Sequence, residues 1–154
     1  SGAIGISISK NELHAEVYAC DISREALSVA KKNAEKNNVK INFVESNMFQ
    51  NIKEKFDIIV SNPPYIETKV INKLDKQVQN EPHLALDGGK DGLDFYRILA
   101  NESKEYLKEN GYLCVEIGYD QKEKVEQLLK EKNYRNIYSV KDLAGNDRGI
   151  IAKK

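Results

Sequence analysis

A continuous apolar run that ends in two prolines constrains this chain more than any other feature. Residues 56–60 are apolar except for Asp57, and Ser61-Asn62-Pro63-Pro64-Tyr65 follows directly. Such a run is typical of a strand in a parallel sheet, where both faces are covered. Proline cannot continue that strand because it lacks the N–H that the ladder needs. The run therefore predicts a buried parallel strand with a stiff loop at its carboxyl end.

Segments with the periods of strands and helices alternate along the rest of the chain. Strands are predicted at 15–20, 40–44, 56–60, 112–117, 136–140 and 149–152. Helices are predicted at 1–13, 23–37, 94–107, 121–132 and, as a short turn, near 70–76, with Ser23 as an N-cap and Asn110-Gly111 closing the helix at 94–107. The alternation predicts one α/β domain over residues 1–154 with a mostly parallel sheet. The last two strands have no helix between them, so they are expected to pair antiparallel at one edge.

Charge and cysteine content narrow the classes of partner. Lys plus Arg is 24 and Asp plus Glu is 24, so the net charge is zero and disfavours nucleic acid or an anionic membrane as a partner. No apolar run approaches the ~20 residues that span a bilayer, and no signal-like segment is visible. Cys20 and Cys114 lie in predicted strands and are interpreted as buried thiols, which favours a cytoplasmic location. No Cys/His cluster has metal spacing, so no metal site is predicted.

The Asn62-Pro63-Pro64-Tyr65 motif can carry a specific chemistry. In doubly wound sheets, ligands bind beyond the carboxyl ends of the strands. The prolines remove two donors, which leaves their carbonyls and the Asn62 side-chain oxygen as acceptors in a stiff loop. Two acceptors could hold the protons of a planar NH2 group and aim its nitrogen at an electrophilic methyl, while Tyr65 packs against the flat group. Pro-Pro alone would merely end a strand, but its setting between Asn62 and Tyr65 favours this function.

Three further segments fit a nucleoside cofactor, each with a plain structural alternative. Asp21 ends an early strand and could accept hydrogen bonds from ribose hydroxyls, or simply favour a helix N-terminus. Ser1-Gly2-Ala3-Ile4-Gly5 resembles the tail of a glycine-rich loop, although small residues also serve helix–sheet packing. Asn47 could bind the adenine edge and Met48 could cover its face, but a surface turn explains them nearly as well.

A long segment between Glu81 and Leu93 is dense in turn residues. Loops of this length are usually functional or disordered, so a flexible surface loop is the alternative. His83 within it fits a surface residue better than a catalytic base.

Together these residues resemble the release-factor glutamine methyltransferase family, also called HemK or PrmC. The resemblance covers essentially the whole chain and includes Asn62-Pro63-Pro64-Tyr65-Ile66. It rests further on Glu81-Pro82, Ala85-Leu86, Gly88-Gly89-Lys90-Asp91-Gly92-Leu93, Tyr96-Arg97, Glu116-Ile117-Gly118, Lys141-Asp142-Leu143-Ala144-Gly145 and Asp147-Arg148. The first motif marks many amino-methylating enzymes, and the later ones are more selective.

The resemblance implies a Rossmann-like class I methyltransferase that uses S-adenosyl-L-methionine, with seven strands, the last of them antiparallel. It implies methylation of the glutamine in the Gly-Gly-Gln motif of peptide chain release factors, which act in translation termination. The implied site residues are Asn62, Pro63 and Tyr65 for catalysis, these with Pro64 and Glu81 for the substrate, and Ser1, Gly2, Asp21, Asn47, Met48 and Asn62 for the cofactor. The family usually has an acidic residue at position 47 and often an aromatic one at position 48.

The family's first strand, most of its glycine loop and a helical domain that helps grip the release factor are expected upstream of Ser1. The chain is therefore expected to be a C-terminal part of such an enzyme. Without the central first strand, its neighbours would have an unpaired edge. We expect such a chain either to recruit a substitute strand, for example from another copy, or to be marginally stable.

Two other functions stay open. A DNA or RNA adenine-N6 or cytosine-N4 methyltransferase would share the Asn-Pro-Pro-Tyr chemistry, but it needs base flipping and a phosphate-binding surface. The zero net charge and the later family motifs disfavour it. The other alternative is an inactive cofactor-binding fragment.

Overall fold

The computed structural model describes residues 1–75, 78 and 80–154. These residues form two compact units, Ser1–Lys53 and Glu54–Lys154, each with its own sheet. The single domain expected over residues 1–154 stays a prediction. No helix in the described part of the chain is long and apolar enough to cross a membrane.

The first unit combines two helices with two parallel strands. Its elements are α1 (Ala3–Asn11), β1 (Tyr18–Asp21), α2 (Arg24–Lys36) and β2 (Asn42–Glu45). The Ser23 N-cap is confirmed, because its side chain accepts a hydrogen bond from the Ala26 N–H at 3.1 Å. The buried face of α2 consists of residues at helical spacing, Leu27, Ala30 and Ala34. β1 and β2 end together, with Asp21 opposite Glu45.

The second unit contains a four-stranded mixed sheet. Its elements are β3 (Phe56–Ser61), α3 (Thr68–Ile71), α4 (His83–Leu86), α5 (Asp94–Tyr106), β4 (Leu107–Glu116), α6 (Lys122–Glu131), β5 (Arg135–Lys141) and β6 (Asp147–Lys153). The strand order is β3-β4-β6-β5. β3 and β4 are parallel, whereas β6 is antiparallel to both β4 and β5. The expected antiparallel pairing of the last two strands is confirmed.

The two faces of this sheet differ in burial. One face is fully or nearly fully buried beneath α5 and α6 and carries Leu113, Val115, Ile150 and Ala152. The other face carries the alternate residues, which stand in register across the sheet as Val60, Cys114, Ile151 and Tyr138. Val60 is 42% exposed and Tyr138 is 52% exposed. The apolar core of this unit therefore lies on one side of the sheet.

The helix predicted over residues 94–107 is confirmed, because α5 spans Asp94–Tyr106, but the turn predicted to close it is wrong. Asn110-Gly111 does not close it, because α5 already ends at Tyr106 and the fully buried Leu107 begins β4. Asn110 does take a left-handed conformation, with φ 64°, but within the irregular first part of β4, where the register with β3 shifts. Burial of Leu107 in the sheet overrides the local turn signal.

Two smaller expectations also change. The short helix expected near 70–76 is α3, which ends at Ile71, and position 76 lies outside the described residues. The prediction of two buried thiols is wrong, because Cys20 is exposed and Cys114 is half-buried. Successive side chains of a strand point to opposite faces, and the helices cover the face that carries Ala19 in β1 and Leu113 in β4. Cys20 and Cys114 point to the opposite face of their strands.

Candidate functional site

The Asn62-Pro63-Pro64-Tyr65 motif directly follows β3, at the carboxyl end of the parallel pair β3–β4. The last paired residues of these strands are Ser61 and Val115. Pro63 is buried, Pro64 and Tyr65 are half-buried, and Asn62 is exposed. The Asn62 side chain is thus accessible to a ligand, while the prolines behind it restrict the backbone.

The segment between Leu86 and Leu93 packs directly against this motif. The Ile66 N–H donates to the Leu86 carbonyl at 3.0 Å, and the Gly88 N–H donates to the Ile66 carbonyl at 2.8 Å. A Cβ at Gly88 would lie 2.8 Å from the Tyr65 Cα and 2.9 Å from the Pro64 carbonyl oxygen. The glycine is therefore required by close backbone approach. Residues 86–93, called the loop wall below, are therefore an ordered segment packed against the motif and not a flexible surface loop.

Gln121, which the sequence analysis did not single out, holds the same region together. Its side-chain nitrogen donates to the Tyr65 carbonyl at 3.0 Å and to the Gly92 carbonyl at 3.2 Å. Its side-chain oxygen accepts from the Gly118 N–H at 2.9 Å, and the residue is only 6% exposed. A buried amide with three partners is well satisfied. The only sequence signal for this role of Gln121 was indirect: Gly92 and Gly118 lack the Cβ atoms that would collide with its carboxamide.

The Tyr65 hydroxyl lies in a partly buried, charged environment. Burial raises its pKa above the ordinary value, Glu116 raises it further, Arg148 opposes the rise and Glu81 adds to it. The hydroxyl therefore stays protonated near neutral pH. Glu81 is exposed but close enough to act on Tyr65 electrostatically, and its role in substrate binding stays a prediction.

Tyr96 lies beneath this region and is 2% exposed. Its hydroxyl donates to the Glu116 carbonyl at 2.8 Å. Burial raises the pKa of Tyr96 far above its ordinary value, so it is a permanent donor that fixes the end of β4.

The segment between Lys141 and Arg148 forms a small turn built on one carboxylate. Asp142 accepts the Ala144 and Asn146 N–H groups at 2.9 Å each, and the Arg148 guanidinium donates to it at 3.2 Å. The Asn146 backbone bond is the largest cause that lowers the Asp142 pKa. Because Arg148 also lowers the Tyr65 pKa, this turn places a positive charge in the electrostatic environment of the motif.

The Asp91 carboxylate stabilises the C-terminal end of the loop wall through hydrogen bonds. Arg97 donates to Asp91 at 2.5 Å and 3.0 Å and to Asp94 at 2.9 Å. Asp91 also accepts the Leu93 N–H at 3.2 Å. The Arg97 hydrogen bonds are the largest cause that lowers the Asp91 pKa. These contacts give Tyr96-Arg97, part of the sequence resemblance, a structural role.

In the first unit, Asp21 lies at the carboxyl end of β1 and is half-buried. One of its carboxylate oxygens accepts the Ser23 N–H at 2.9 Å, and its carbonyl accepts the Ser46 N–H at 3.0 Å. No described residue donates to the second carboxylate oxygen. Asp21 and the turn that begins at Ser46 therefore lie at the same edge of this small sheet.

Asn47 and Met48 belong to that turn, which Ser46 organises. The Ser46 hydroxyl donates to the Met48 carbonyl at 2.8 Å and accepts the Asn51 N–H at 3.0 Å. Met48 has φ 50°, and the Asn47 side chain is exposed. The structure thus brings Asp21, Asn47 and Met48 to one edge, as a shared binding role requires.

The structure explains why glycine stands at position 2. Its φ is 76°, and an added Cβ would lie 2.9 Å from the Ala30 Cβ. The Ser1 carbonyl accepts from the Asn33 side chain at 3.0 Å. Packing of α1 against α2 explains the glycine, so the contact of Ser1 and Gly2 with a cofactor stays a prediction.

His83 is an exposed residue of α4, 3.7 Å from Asp87. Among the described residues, no group of three or more His, Cys, Asp or Glu side chains could hold a metal ion.

Comparison with known proteins gives likenesses of both sequence and structure. The family model for the methyltransferase small domain matches residues 1–81. A release factor glutamine methyltransferase of Agrobacterium fabrum is 44% identical over 157 residues, which cover 100% of this chain and 54% of that protein. A methyltransferase of Pyrococcus furiosus has a TM-score of 0.74 at 20% identity, over 99% of this chain and 69% of that one.

A 16S rRNA methyltransferase of T. thermophilus, solved in complex with AdoMet and guanosine, has a TM-score of 0.58. It is 20% identical and covers 91% of this chain and 32% of that one. At such identities, the two solved structures show the fold alone.

The α/β architecture with its mixed sheet and these structural likenesses define a class I methyltransferase fold. The chain belongs to the methyltransferase small domain family. The resemblance to release-factor glutamine methyltransferases, based on the motifs, is confirmed by relatives of that name, and the chain spans about half the length of those curated relatives.

Proposed function

We propose that this domain transfers a methyl group from S-adenosyl-L-methionine to a glutamine side-chain amide, that of the Gly-Gly-Gln motif in peptide chain release factors. The observation that carries the proposal is the exposed Asn62 side chain beside the buried Pro63, at the carboxyl end of a parallel strand. The names of the relatives support the choice of substrate. The proposed place of action is translation termination.

The amide nitrogen of glutamine is a poor nucleophile because its lone pair is delocalised. In the proposed mechanism, the Asn62 side-chain oxygen and the Pro63 carbonyl accept hydrogen bonds from its two N–H groups and direct the nitrogen toward the methyl group. As the nitrogen–methyl bond forms, the methyl–sulfur bond breaks, and one of the two N–H protons is lost to solvent. Pro64 and Tyr65 contact the flat amide, and Glu81 contacts the substrate further out. The rate gain then comes from orientation and preorganised acceptors, and no strong base is needed.

The cofactor supplies an electrophilic methyl group when it is bound. Asp21 would hold the ribose hydroxyls with its second carboxylate oxygen, since the first already accepts the Ser23 N–H. Asn47 would bind the adenine edge and Met48 would cover the adenine face. Ser1 and Gly2 are proposed cofactor contacts through their backbone, and Asn62 is proposed to contact the cofactor as well as the substrate. These residues fit an adenosyl group, because the Asp21 carboxylate can accept hydrogen bonds from ribose hydroxyls and the exposed Asn47 amide can bond to the adenine edge.

An Asn62→Ala change tests the catalytic role. In the natural protein that contains these residues, we expect kcat to fall by about 100- to 1000-fold, as for other preorganised polar groups. The assay offers the release factor and cofactor and locates the methyl group by mass spectrometry of the Gly-Gly-Gln peptide. Asn101→Ala, at an exposed position of α5, is the matched control and should leave the rate unchanged.

The same assay separates the alternatives. Methylation of DNA or RNA alone would replace the proposed substrate by an exocyclic base amine. Cofactor binding without transfer to either substrate would support an inactive cofactor-binding fragment. Full activity of the Asn62→Ala variant would remove the role assigned to that side chain.

We further propose a cytoplasmic location, where release factors act, and self-association through an exposed sheet edge. β3 is an edge strand of the four-stranded sheet, and its Ile58 and Val60 side chains are 57% and 42% exposed. An edge strand with exposed apolar residues is a template for further pairing.

A further inference from the structure

The motif at residues 62–65 is unusually poor in its own hydrogen-bond donors. Pro63 and Pro64 have no N–H, so the backbone there can be anchored only through carbonyl groups or by its flanking residues. Downstream, the Ile66 N–H supplies one anchor to the Leu86 carbonyl at 3.0 Å. The Ile66 carbonyl accepts the Gly88 N–H at 2.8 Å as a second anchor. The Tyr65 carbonyl, inside the motif, supplies a third, and its partner is the Gln121 side chain at 3.0 Å.

Gln121 joins three backbone segments that the sequence separates widely. Its carboxamide binds Tyr65 after β3, Gly92 in the loop wall and Gly118 after β4. The fit is tight, because a Cβ at Gly92 would lie 2.7 Å from the Gln121 nitrogen and one at Gly118 would lie 2.9 Å from its oxygen. Both sides of the carboxamide are thus enclosed by backbone.

We propose that Gln121 is a positioning residue for methyl transfer, acting through the Tyr65 carbonyl to fix the orientation of the Asn62 and Pro63 acceptors. The inference rests on the proposed function, since it assigns those acceptors a role. In this role Gln121 does not contact the reacting atoms. It limits the freedom of a segment in which Pro63 and Pro64 offer no N–H donors, and it adds to the two backbone bonds at Ile66.

The test is a Gln121→Met change in the natural protein that contains these residues. Methionine keeps the length and burial of the side chain but removes its donors and its carbonyl acceptor. Because misorientation by about 1 Å can cost about 100-fold, we expect kcat to fall by roughly 10- to 100-fold. The KM values for cofactor and release factor should stay within about threefold, since the effect falls on orientation more than on binding.

A second variant, Gln121→Glu, separates the three hydrogen bonds. Glutamate can still accept from the Gly118 N–H, but as a carboxylate it cannot donate to Tyr65 or Gly92. We expect the same loss of kcat with the Gly118 amide still protected. Gln127→Met is the matched control, because Gln127 is exposed on α6, the helix that Gln121 precedes, and bonds only to Glu131 among the described residues.

Amide hydrogen exchange gives a readout that does not depend on turnover. In Gln121→Met, exchange at Ile66 and Gly118 should accelerate, while the sheet amides of Leu113 and Ile150 keep their wild-type rates. In Gln121→Glu, only Ile66 should accelerate. These patterns would show local release of the motif within an intact fold.

Several results would overturn the proposal. Unchanged kcat in both variants, a matching loss in Gln127→Met, or equal acceleration at Leu113 and Ile150 would each make Gln121 an ordinary stability residue. Failure of both variants to fold would have the same meaning. If the wild-type protein methylates no release factor, the proposed function fails, and the exchange pattern alone decides whether Gln121 holds the motif.

Discussion

At the scale of single residues, Gly88 shows how closely the loop wall approaches the motif. A Gly88→Ala methyl group would meet the Tyr65 Cα at 2.8 Å and the Pro64 carbonyl at 2.9 Å, and both neighbours are backbone. We expect a loss of about 1–3 kcal/mol in the free energy of unfolding, as for other overpacked sites. Methyl transfer should slow as well, because the shift falls on the motif. Urea unfolding and initial rates measure the two effects.

The control for this prediction is Gly5→Ala in α1. Its Cβ would lie 3.5 Å from Ile41 and Val17 side-chain carbons, which is ordinary contact. Alanine is favoured over glycine in a helix by up to about 1 kcal/mol, so this variant should be neutral or more stable. Equal stability of both variants would contradict the close approach at Gly88.

Asp21 allows a second prediction at this scale. Asp21→Asn removes the charge that the ribose hydroxyls are proposed to meet, and hydrogen bonds to charged groups contribute about 1.5–3 kcal/mol. We expect the Kd for S-adenosyl-L-methionine to rise by roughly 10- to 100-fold in calorimetry. Glu16→Gln, exposed just before β1, should leave the Kd unchanged. An unaltered Kd in Asp21→Asn would mean that the carboxylate serves only the Ser23 turn.

The roles of some of these residues could be predicted from the sequence, and those of others could not. Asn62 and Asp21 could be predicted because each follows a strand, and the carboxyl ends of parallel strands are where ligands bind. Gln121 and Ser46 could not, because their importance depends on which distant backbone groups approach them. A local pattern carries no information on such approach.

At the scale of secondary-structure elements, one buried hydrogen bond joins α5 to the segment before β5. The Ser103 hydroxyl donates to the Leu99 carbonyl at 2.6 Å, so the Tyr134 hydroxyl, also at 2.6 Å, must donate to Ser103. Tyr134→Phe removes that bond but keeps the ring beneath Lys104, 4.9 Å from its ammonium. We expect a loss of about 1 kcal/mol in the free energy of unfolding, measured in urea.

Tyr138→Phe is the matched control, because Tyr138 is 52% exposed on β5 and should tolerate the change. A Tyr134→Phe variant as stable as this control would mean that water or a repacked neighbour replaces the bond. Ser103→Ala in the same series would then show whether the two hydroxyls are coupled.

Element boundaries show where local sequence signals lose to packing. The helix at Arg24–Lys36 was predictable because Ser23 caps it and its alanines follow one face. The start of β4 was not, since the turn signal of Asn110-Gly111 lies inside a strand that begins with the buried Leu107, five residues before the predicted start at Tyr112. Strand pairing decides such a boundary, and pairing is a property of the whole sheet.

At the scale of the whole molecule, the open face and edge of the four-stranded sheet lead to a last prediction. On the edge strand β3, Ile58 and Val60 are 57% and 42% exposed, and Val60 stands in register with Cys114 of β4. Strands of parallel type are normally covered on both faces, so this surface favours association. We expect sedimentation velocity to show dimers or larger species that increase with protein concentration.

Val60→Lys should shift that equilibrium toward the monomer, because a charge on an edge strand opposes pairing and the desolvation of an apolar face. Val29→Lys is the control, since Val29 is 50% exposed on α2 of the first unit and undergoes the same chemical change. A wild-type chain that sediments as a monomer at every concentration would refute self-association. Equal dissociation in both lysine variants would indicate a general effect of charge on association and would not support a contact through β3.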